Sequence, residues 1–423
     1  MTNFDAERSP EAKDNAMTTT EGFPDGGVQA WLTVAGSSAC LFVSFGWVNC
    51  IGVFQDYYLA HQLRAYTESE VSWIPALQVF FILCGGPFVG KLFDDYGPRH
   101  LLSAGAILHV LGLMMASISK TYYQILLSQA VCSAIGASMV FYPAISSVST
   151  WFSQKRGIAL GIVAAGSSLG GITFPIIVIH LIPQLGFAWA MRVCAFAILA
   201  LLTFANFTVR SRIKPTKRPF SPMAFLRPLK EPVFLLLTSA VFFYFWGMFI
   251  PFTFIVVAAQ EHGMSPRLAN YLVPILNAGS VIGRTIPNAV ADKVGPFNVM
   301  VGMSFFTTIL VLVLWLLATG NAAIILFAAL FGIGSGAGIG LTPVLCAHIA
   351  PVKEIGTFTG TVFAFASLAA LTGSPIGGQL ISLDNGSFRY TTMFAGVSCA
   401  VENNAEVVLL TQPMKLDRYK EED

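Results

Sequence analysis

Charged residues are scarce in this chain. Lysine, arginine, aspartate and glutamate make up 11% of its 423 residues, whereas about 25% is usual for a soluble globular protein. Hydrophobic residues account for 55%, and the mean hydropathy is +0.69. This composition excludes an ordinary water-soluble domain and indicates a chain solvated mainly by the lipid bilayer. The net charge of +2 gives no reason to expect a nucleic-acid partner.

The sequence also lacks the clusters that mark a catalytic centre, a metal site or a disulfide framework. Its six histidines are scattered, whereas a membrane-embedded enzyme would need a catalytic histidine with partners at one membrane face. We therefore expect neither an enzyme nor a cofactor. All seven cysteines lie inside apolar stretches, so we expect no disulfide framework and no bound metal. No cleavable signal peptide is visible in the hydrophilic residues 1–29.

Apolar stretches of about 20 residues, the length that a spanning helix needs, recur along the chain. We count twelve, at about 30–54, 71–92, 101–119, 123–147, 157–181, 189–208, 233–259, 270–290, 298–318, 322–346, 356–378 and 390–411. The sequence therefore predicts an all-α polytopic membrane protein, with twelve transmembrane helices in two pseudo-symmetric halves of six helices each. The predicted parts are a disordered cytosolic tail at 1–29, a first half at 30–209, a basic cytosolic linker at 210–232, a second half at 233–411 and a cytosolic tail at 412–423.

Basic residues distribute unequally between the two sides of the membrane. A cytosolic N-terminus places 18 of the 24 lysines and arginines on the cytosolic side and five outside, with Arg284 inside a span. Because cytoplasmic loops are enriched in lysine and arginine, we expect both termini in the cytosol. The plasma membrane is the expected location of this multi-pass protein.

An internal repeat supports the division into halves. The segment from Asp94 to Arg99, with the pattern Asp-x-x-Gly-Pro, recurs at Asp292, 198 residues later and after the equivalent span. A tight turn between helices explains the glycine and the proline alone. The repeated carboxylates favour a latch that holds the cytosolic face shut, formed by Asp94, Arg99, Lys155, Arg156 and Asp292.

These segments resemble known transporters. The repeat is similar to the cytosolic loop signature of the major facilitator superfamily, in which two six-helix halves rock around a midplane site. Two further segments, the entry to the first span and the loop into the fifth, resemble fungal members of its monocarboxylate transporter family. The residues that carry this resemblance are Asp25, Gly26, Gly27, Trp31, Lys155, Arg156, Gly161 and Gly166. Each also has a simpler explanation in membrane topology or in close helix packing.

Arg284 lies deep inside the eighth predicted span. A charge at the centre of a spanning helix costs about 2.5–3.5 kcal/mol on insertion scales, so it faces a polar cavity or a partner. The resemblance implies that Arg284 pairs with a substrate carboxylate, which a guanidinium can bind through two contacts. The alternative is a structural arginine bonded to helix carbonyls. Ser280 stands where lactate carriers have an aspartate, so proton–lactate symport is not expected.

Three polar residues are predicted to line a cavity near Arg284. Asn277 lies seven residues earlier and shares its helix face, and the other two are Asn49 and Tyr142. No acidic residue lies deep in the first eleven spans, so proton coupling stays open, without an evident carboxylate relay. We expect a secondary carrier that moves a small anionic organic acid or carboxylated metabolite by alternating access. The main alternative is efflux of a fungal secondary metabolite, and a transporter-like nutrient sensor is a more distant one.

The last apolar stretch is atypical. It contains Glu402, Asn403, Asn404 and Glu406, which would be unfavourable in contact with lipid. These side chains face the interior of the bundle, or the helix is broken, or the sequence is wrongly spliced. We favour the third explanation as a hypothesis.

Overall fold

A computed structural model of the chain describes residues 23–213, 215 and 223–411. Most of the predicted N-terminal tail, the whole C-terminal tail and linker residues 214 and 216–222 lie outside the described residues. The described part is helical along nearly its whole length, and the helices correspond one by one to the twelve predicted spans. This confirms the predicted all-α fold.

The first half contains helices α1 to α6. Three consecutive segments form α1: Val28–Val43, Phe45–Val48 and Ile51–Ala60. Two segments, Glu68–Cys84 and Gly86–Tyr96, form α2, and Pro98–Ile118 forms α3. The fourth helix, α4, runs through Tyr122–Ile125, a π-helical stretch at Leu126–Ser133, and Ala134–Ser149. The continuous stretch Arg156–Thr208 holds both α5 and α6, which are divided at Gly186.

The second half contains helices α7 to α12. Their bounds are Pro232–Glu261 for α7, Leu272–Val294 for α8, Pro296–Ile309 with π-helical Leu310–Trp315 for α9, Asn321–Ile349 for α10, Ile355–Leu383 for α11 and Arg389–Thr411 for α12. Short turns at Met223–Leu226 and Pro228–Lys230 precede α7, Pro266–Ala269 precedes α8, and Val352–Glu354 precedes α11.

Length and hydropathy alone identify fewer spans than the fold contains. Ten helical stretches in the described part of the chain are long and apolar enough to cross a membrane. One of them is the 53-residue stretch that holds both α5 and α6; its backbone leaves helical geometry at Gly186, where φ is 78°. The other difference is α8, because Asn277, Arg284 and Asn288 make it less apolar than its neighbours. The span that length and hydropathy overlook is therefore the one that carries the buried Arg284.

The helices pack with their polar side chains inward. Large apolar side chains such as Ile107, Phe196 and Leu317 are exposed on the outside of the bundle, where lipid would cover them. Serine, threonine and asparagine side chains are buried between helices, where they hydrogen-bond to backbone carbonyls or to one another. The two halves meet along two seams: α5 packs against α8, and α2 packs against α11.

Two predictions about the ends of the chain differ from the structure. The predicted tail extends to residue 29, but α1 begins at Val28, and Asp25 is already bonded to the loop before α5. The last helix, α12, is continuous, and both Glu402 and Glu406 are completely buried in the bundle. The carboxyl groups therefore face the interior, as the first of the three explanations given above requires, and α12 has no break within its described residues. Mis-splicing stays a hypothesis.

Candidate functional site

Arg284 lies at the α5–α8 seam, with only 7% of its surface exposed. Its Nε donates to the Ser280 hydroxyl at 3.0 Å, within α8. Its Nη1 crosses to the first half, where it donates to the Ala164 carbonyl at 2.8 Å and to the Ser167 hydroxyl. The serine at the position of the expected aspartate thus contacts the guanidinium without adding a charge.

No acidic side chain among the described residues bonds to Arg284, so no described carboxylate neutralises its positive charge. The second terminal nitrogen, Nη2, makes no hydrogen bond to any described residue either. The structural alternative is therefore partly correct, because a helix carbonyl accepts one of the arginine's hydrogen bonds. The structural alternative does not explain why the positive charge has no acidic partner among the described residues, or why Nη2 donates no hydrogen bond to them.

A hydrogen bond between Asn277 and Asn49 joins the halves at a second place along the same seam, about two helical turns from Arg284 on α8. Asn277 Nδ2 donates to Asn49 Oδ1 at 3.1 Å, and also to the Val273 carbonyl of its own helix. Gly171 of α5 lies against this pair: a Cβ there would come within 2.7 Å of Asn277 and 2.8 Å of Asn49. Three predicted site residues, Arg284, Asn277 and Asn49, therefore form one polar seam between α8, α5 and α1.

Tyr142 does not belong to this seam, contrary to the prediction. Its hydroxyl donates to the Leu83 carbonyl at 2.7 Å, and its ring meets Phe363 with the centroids 6.2 Å apart. These partners belong to α2 and α11, so Tyr142 lies at the other seam. The physical reason is that α4 packs on α2 and faces α11, whereas α8 faces α5.

The two repeated aspartates bridge the halves at one end of the bundle, the face predicted to be cytosolic. Asp292, at the end of α8, accepts from the amides of Gly157 and Ile158 at 2.6 and 2.8 Å. Asp94, at the end of α2, accepts from the Thr357 amide and hydroxyl at 3.0 and 2.8 Å, and from the Gly356 amide at 3.3 Å. Each carboxylate thus caps the first turn of a helix in the opposite half, where free N–H groups and the helix dipole favour an anion.

Comparison with known proteins identifies the family of this chain. A sequence profile described as Major Facilitator Superfamily matches residues 37–327 and, in a second overlapping match, residues 237–410. The chain belongs to the major facilitator superfamily. It is a multi-pass membrane transporter of that superfamily, and its substrate is a small molecule.

Curated relatives are fungal transporters. The MFS-type transporter opdF of Penicillium oxalicum is 56% identical over 375 residues, which is 89% of this chain and 88% of that protein. The Fujikurins efflux protein of Gibberella fujikuroi is 43% identical, over 94% of this chain and 86% of that protein. The Aspyridones efflux protein apdF of Emericella nidulans is 40% identical, over 89% of this chain and 76% of that protein.

Among solved structures, the fold resembles a crystal structure of the major facilitator FucP in the outward conformation. The TM-score is 0.69 at 15% identity, over 89% of this chain and 98% of that chain. At this identity the similarity shows the major facilitator fold alone. The relatives carry the names of efflux and MFS-type transporters, and none of those named here is called a monocarboxylate transporter.

Of the three remaining predicted latch residues of this major facilitator, one bridges the halves and two do not. Arg156 donates to the Phe152 carbonyl at 2.9 Å and crosses to the Ala347 carbonyl of α10 at 2.8 Å, so it bridges the halves. The side chains of Arg99 and Lys155 are exposed, and neither makes a hydrogen bond or ion pair with a described residue. The physical reason is that the carboxylates already bond to helix N–H groups, which leaves these two cations to the solvent.

The entry motif supports the loop before α5. Asp25 Oδ1 accepts from the amides of Ser153 and Gln154, both at 2.7 Å, and from that of Lys155 at 3.1 Å. Gly27, with φ at 92°, turns the chain into α1, whereas a Cβ at Gly26 would meet no atom within 4 Å. Trp31 packs edge-on against Phe152, with the ring centroids 5.3 Å apart. The motif thus attaches the start of α1 to the loop that supplies Arg156.

The glycines of α5 permit the close helix contacts on which the seam depends. A Cβ at Gly161 would meet the Arg284 carbonyl, and one at Gly166 would meet the Ser38 carbonyl of α1. Their role is therefore packing. Sequence reasoning missed Ala164 and Ser167, which receive the Arg284 hydrogen bonds. The short polar side chains of Ser167 and Ser168 within this glycine-rich helix were the only available signal.

A cavity of about 380 Å³ lies away from this seam, between α7, α9, α10 and α12. Its lining includes His262, Trp315 and Arg389, at the end of the bundle opposite the two aspartate caps. It contains none of the predicted substrate residues, so the candidate site remains the Arg284 seam.

Proposed function

We propose that this transporter exports a carboxylated fungal metabolite across the plasma membrane by alternating access, with Arg284 holding the carboxylate. The observation that carries the proposal is the buried guanidinium between the halves, with no acidic partner and with Nη2 unbonded among the described residues. An anion at this place would neutralise the guanidinium and accept hydrogen bonds from its free N–H groups. Transport, without chemical conversion, is the activity we propose.

Export is preferred over uptake of a monocarboxylate because of the relatives. Two of them bear the names of efflux proteins, for fujikurins and for aspyridones, and each aligns over most of this chain. The monocarboxylate transporter motifs support a narrower proposal, that the carboxylate-binding arginine of that family is kept here at Arg284. The lactate-type proton relay is not part of this proposal, because Ser280 is uncharged.

The geometry supports a specific way of coupling binding to movement. Nη1 of Arg284 is bonded to Ala164 and Ser167, which belong to the other half. A substrate carboxylate that accepts hydrogen bonds from Nη1 replaces the bonds to Ala164 and Ser167. The contact that Arg284 makes between α8 and α5 is then lost. We propose that binding thereby loosens this seam, while the Asp94 and Asp292 caps set how readily the cytosolic face opens.

The orientation follows from the charge distribution. With both termini cytosolic, 18 basic residues lie on the cytosolic side and five lie outside. The two aspartate caps then close the cytosolic face. We propose that the described conformation is one in which substrate cannot leave towards the cytosol.

A comparison of metabolites tests this function. A fungus that carries the gene is prepared as a deletion strain and as an overexpressing strain, and organic acids are measured in cells and in medium. We expect the deletion strain to retain a carboxylated metabolite inside the cells, and the overexpressing strain to enrich it in the medium. Faster removal of an acid from the medium by the overexpressing strain would show uptake. A change confined to uncharged compounds would contradict the proposal that the substrate is an anion.

A further inference from the structure

Two carboxyl side chains are buried one helical turn apart on α12. Glu402 and Glu406 are both completely inaccessible to solvent. Ser304 of α9 donates to one oxygen of Glu402. The second oxygen of Glu402 and both oxygens of Glu406 have no hydrogen-bond partner among the described residues. These three buried acceptors require an explanation, because such groups are nearly always satisfied.

No basic side chain among the described residues bonds to either carboxyl group. The helices α9 and α11, which pack against α12, contain no ionisable residue. The ionisable groups that face the two carboxyls are Tyr244 of α7, Cys346 of α10 and Cys399 of α12 itself. A buried carboxylate without a cation is far more unfavourable than the neutral acid. The pair is therefore held most favourably with protons bound.

The two acids lead inward from the face predicted to be cytosolic. Glu406 lies five residues before Thr411, the last described residue of α12. At a rise of about 1.5 Å per residue, this is about 8 Å along the helix from Thr411, and Glu402 lies about 6 Å deeper. A proton that leaves Glu406 thus has a short route to the cytosolic side once the bundle opens there.

Tyr244 lies on α7, a helix that packs against both α12 and α8. Its hydroxyl donates to the Ser335 carbonyl at 2.6 Å, which fixes the ring inside the second half. The helix of Tyr244 thus contacts both the helix of the two acids and the helix of Arg284.

We propose that Glu402 and Glu406 form a proton-binding site of the transport cycle. The pair binds a proton in the described conformation and releases it to the cytosol when that face opens, so protons move inwards as substrate moves out. The proposal goes beyond export itself, because it names the coupling ion and its site. It does not depend on Arg284 contacting a carboxylate.

Infrared spectroscopy of the purified full-length chain in liposomes tests the site without a known substrate. The carbonyl stretch of neutral carboxylic acid is followed from acidic to alkaline pH in the wild type, in Glu402→Gln, in Glu406→Gln and in the double variant. We expect a neutral-acid band that persists at neutral pH, that each single variant weakens and that the double variant weakens further. Glu261→Gln, the same change at an exposed position of α7, should leave this band unchanged.

Three results would overturn the proposal. The first is a wild-type spectrum without a neutral-acid band at neutral pH, and the second is a band that the double variant does not change. The third is a band that sodium abolishes and that returns when choline replaces sodium, because the pair would then be a sodium site. If a glutamine variant fails to fold, Glu406→Asp keeps the acid, and its band must persist with a shifted titration midpoint.

Discussion

Asp292 accepts a hydrogen bond from the backbone amide of Gly157 at 2.6 Å, which joins the end of α8 in the second half to the start of α5 in the first. Asp94 makes the equivalent contact between α2 and α11. The internal repeat in the sequence thus produces a repeated contact, and each half caps a helix of the other. Separation of the halves at this face exposes two helix starts at once.

The first prediction concerns the strength of these caps. Replacing a capping aspartate by alanine costs about 1 kcal/mol, so Asp292→Ala should shift the balance towards the open cytosolic face by roughly fivefold. The distance between spin labels at the exposed positions 155 and 293 measures this shift. Asp95→Ala is the matched control, because Asp95 pairs with Lys91 in its own helix. An unchanged distance distribution in Asp292→Ala would contradict the capping role.

The second prediction concerns Arg284. Arg284→Ala should abolish export of an anionic substrate from membrane vesicles, while the protein still folds and reaches the membrane. Arg284→Lys keeps the charge but loses the planar fork, so we expect a reduction of about tenfold or more, equivalent to about 1.4 kcal/mol.

The control for Arg284 is Arg267→Ala, which removes an exposed arginine just before α8. Size-exclusion profiles of the variants report folding independently of transport. Normal export by Arg284→Ala would show that the arginine is structural, and would assign its bonds to Ala164 and Ser167 a packing role only.

The third prediction concerns the close approach of α5 and α8 at Gly161. A Cβ at this position would meet the Arg284 carbonyl and would come within 2.9 Å of Asn288 Cβ. Overpacking of this kind costs about 1–3 kcal/mol, so Gly161→Ala should lower the thermal unfolding temperature. Gly302→Ala in α9 adds a Cβ with no atom within 4 Å, and should be neutral or stabilising by up to about 1 kcal/mol. Equal unfolding temperatures for the two variants would contradict this packing.

The fourth prediction concerns the hydrogen bond between Asn49 and Asn277. In a double-mutant cycle with alanine, the two changes should be non-additive by about 0.6 kcal/mol, the average for such bonds in membranes. The free energy of unfolding in detergent is the quantity to measure. Asn404→Ala, paired with Asn277→Ala, provides the control, because Asn404 is exposed on α12. Additive effects of Asn49→Ala and Asn277→Ala would show that the two residues do not interact.

Much of the fold could be predicted because lipid imposes a simple rule on sequence. Apolar length identifies the spans, and the repeated Asp-Gly-Pro turn identifies the halves. The same rule nearly misses α8, since the residues that build the site lower its hydropathy. The apolar stretches at 157–181 and 189–208 separate α5 from α6 correctly, and the backbone leaves helical geometry between them at Gly186.

The site was less predictable because the sequence does not show which residues of one half contact the other half. Asn277 could be placed beside Arg284 from helical spacing. Its partner Asn49 could be predicted because it is a polar residue inside an apolar span. The Ala164 carbonyl is a backbone atom with no side-chain signature. Tyr142, which was predicted near Arg284, lies at the other seam, and the sequence contains nothing that distinguishes the two seams.

The buried acids of α12 have a consequence for how the chain is synthesised. A charged residue at a helix centre opposes entry into the bilayer by about 2.5–3.5 kcal/mol, so Glu402 and Glu406 make α12 the least apolar of the ten stretches that are long and apolar enough to span. Ser304 and Tyr244 precede it in the chain and are already in the bilayer when α12 emerges from the ribosome. We therefore expect the last helix to insert by docking onto its own completed bundle, and truncation of α9 to leave α12 outside the membrane.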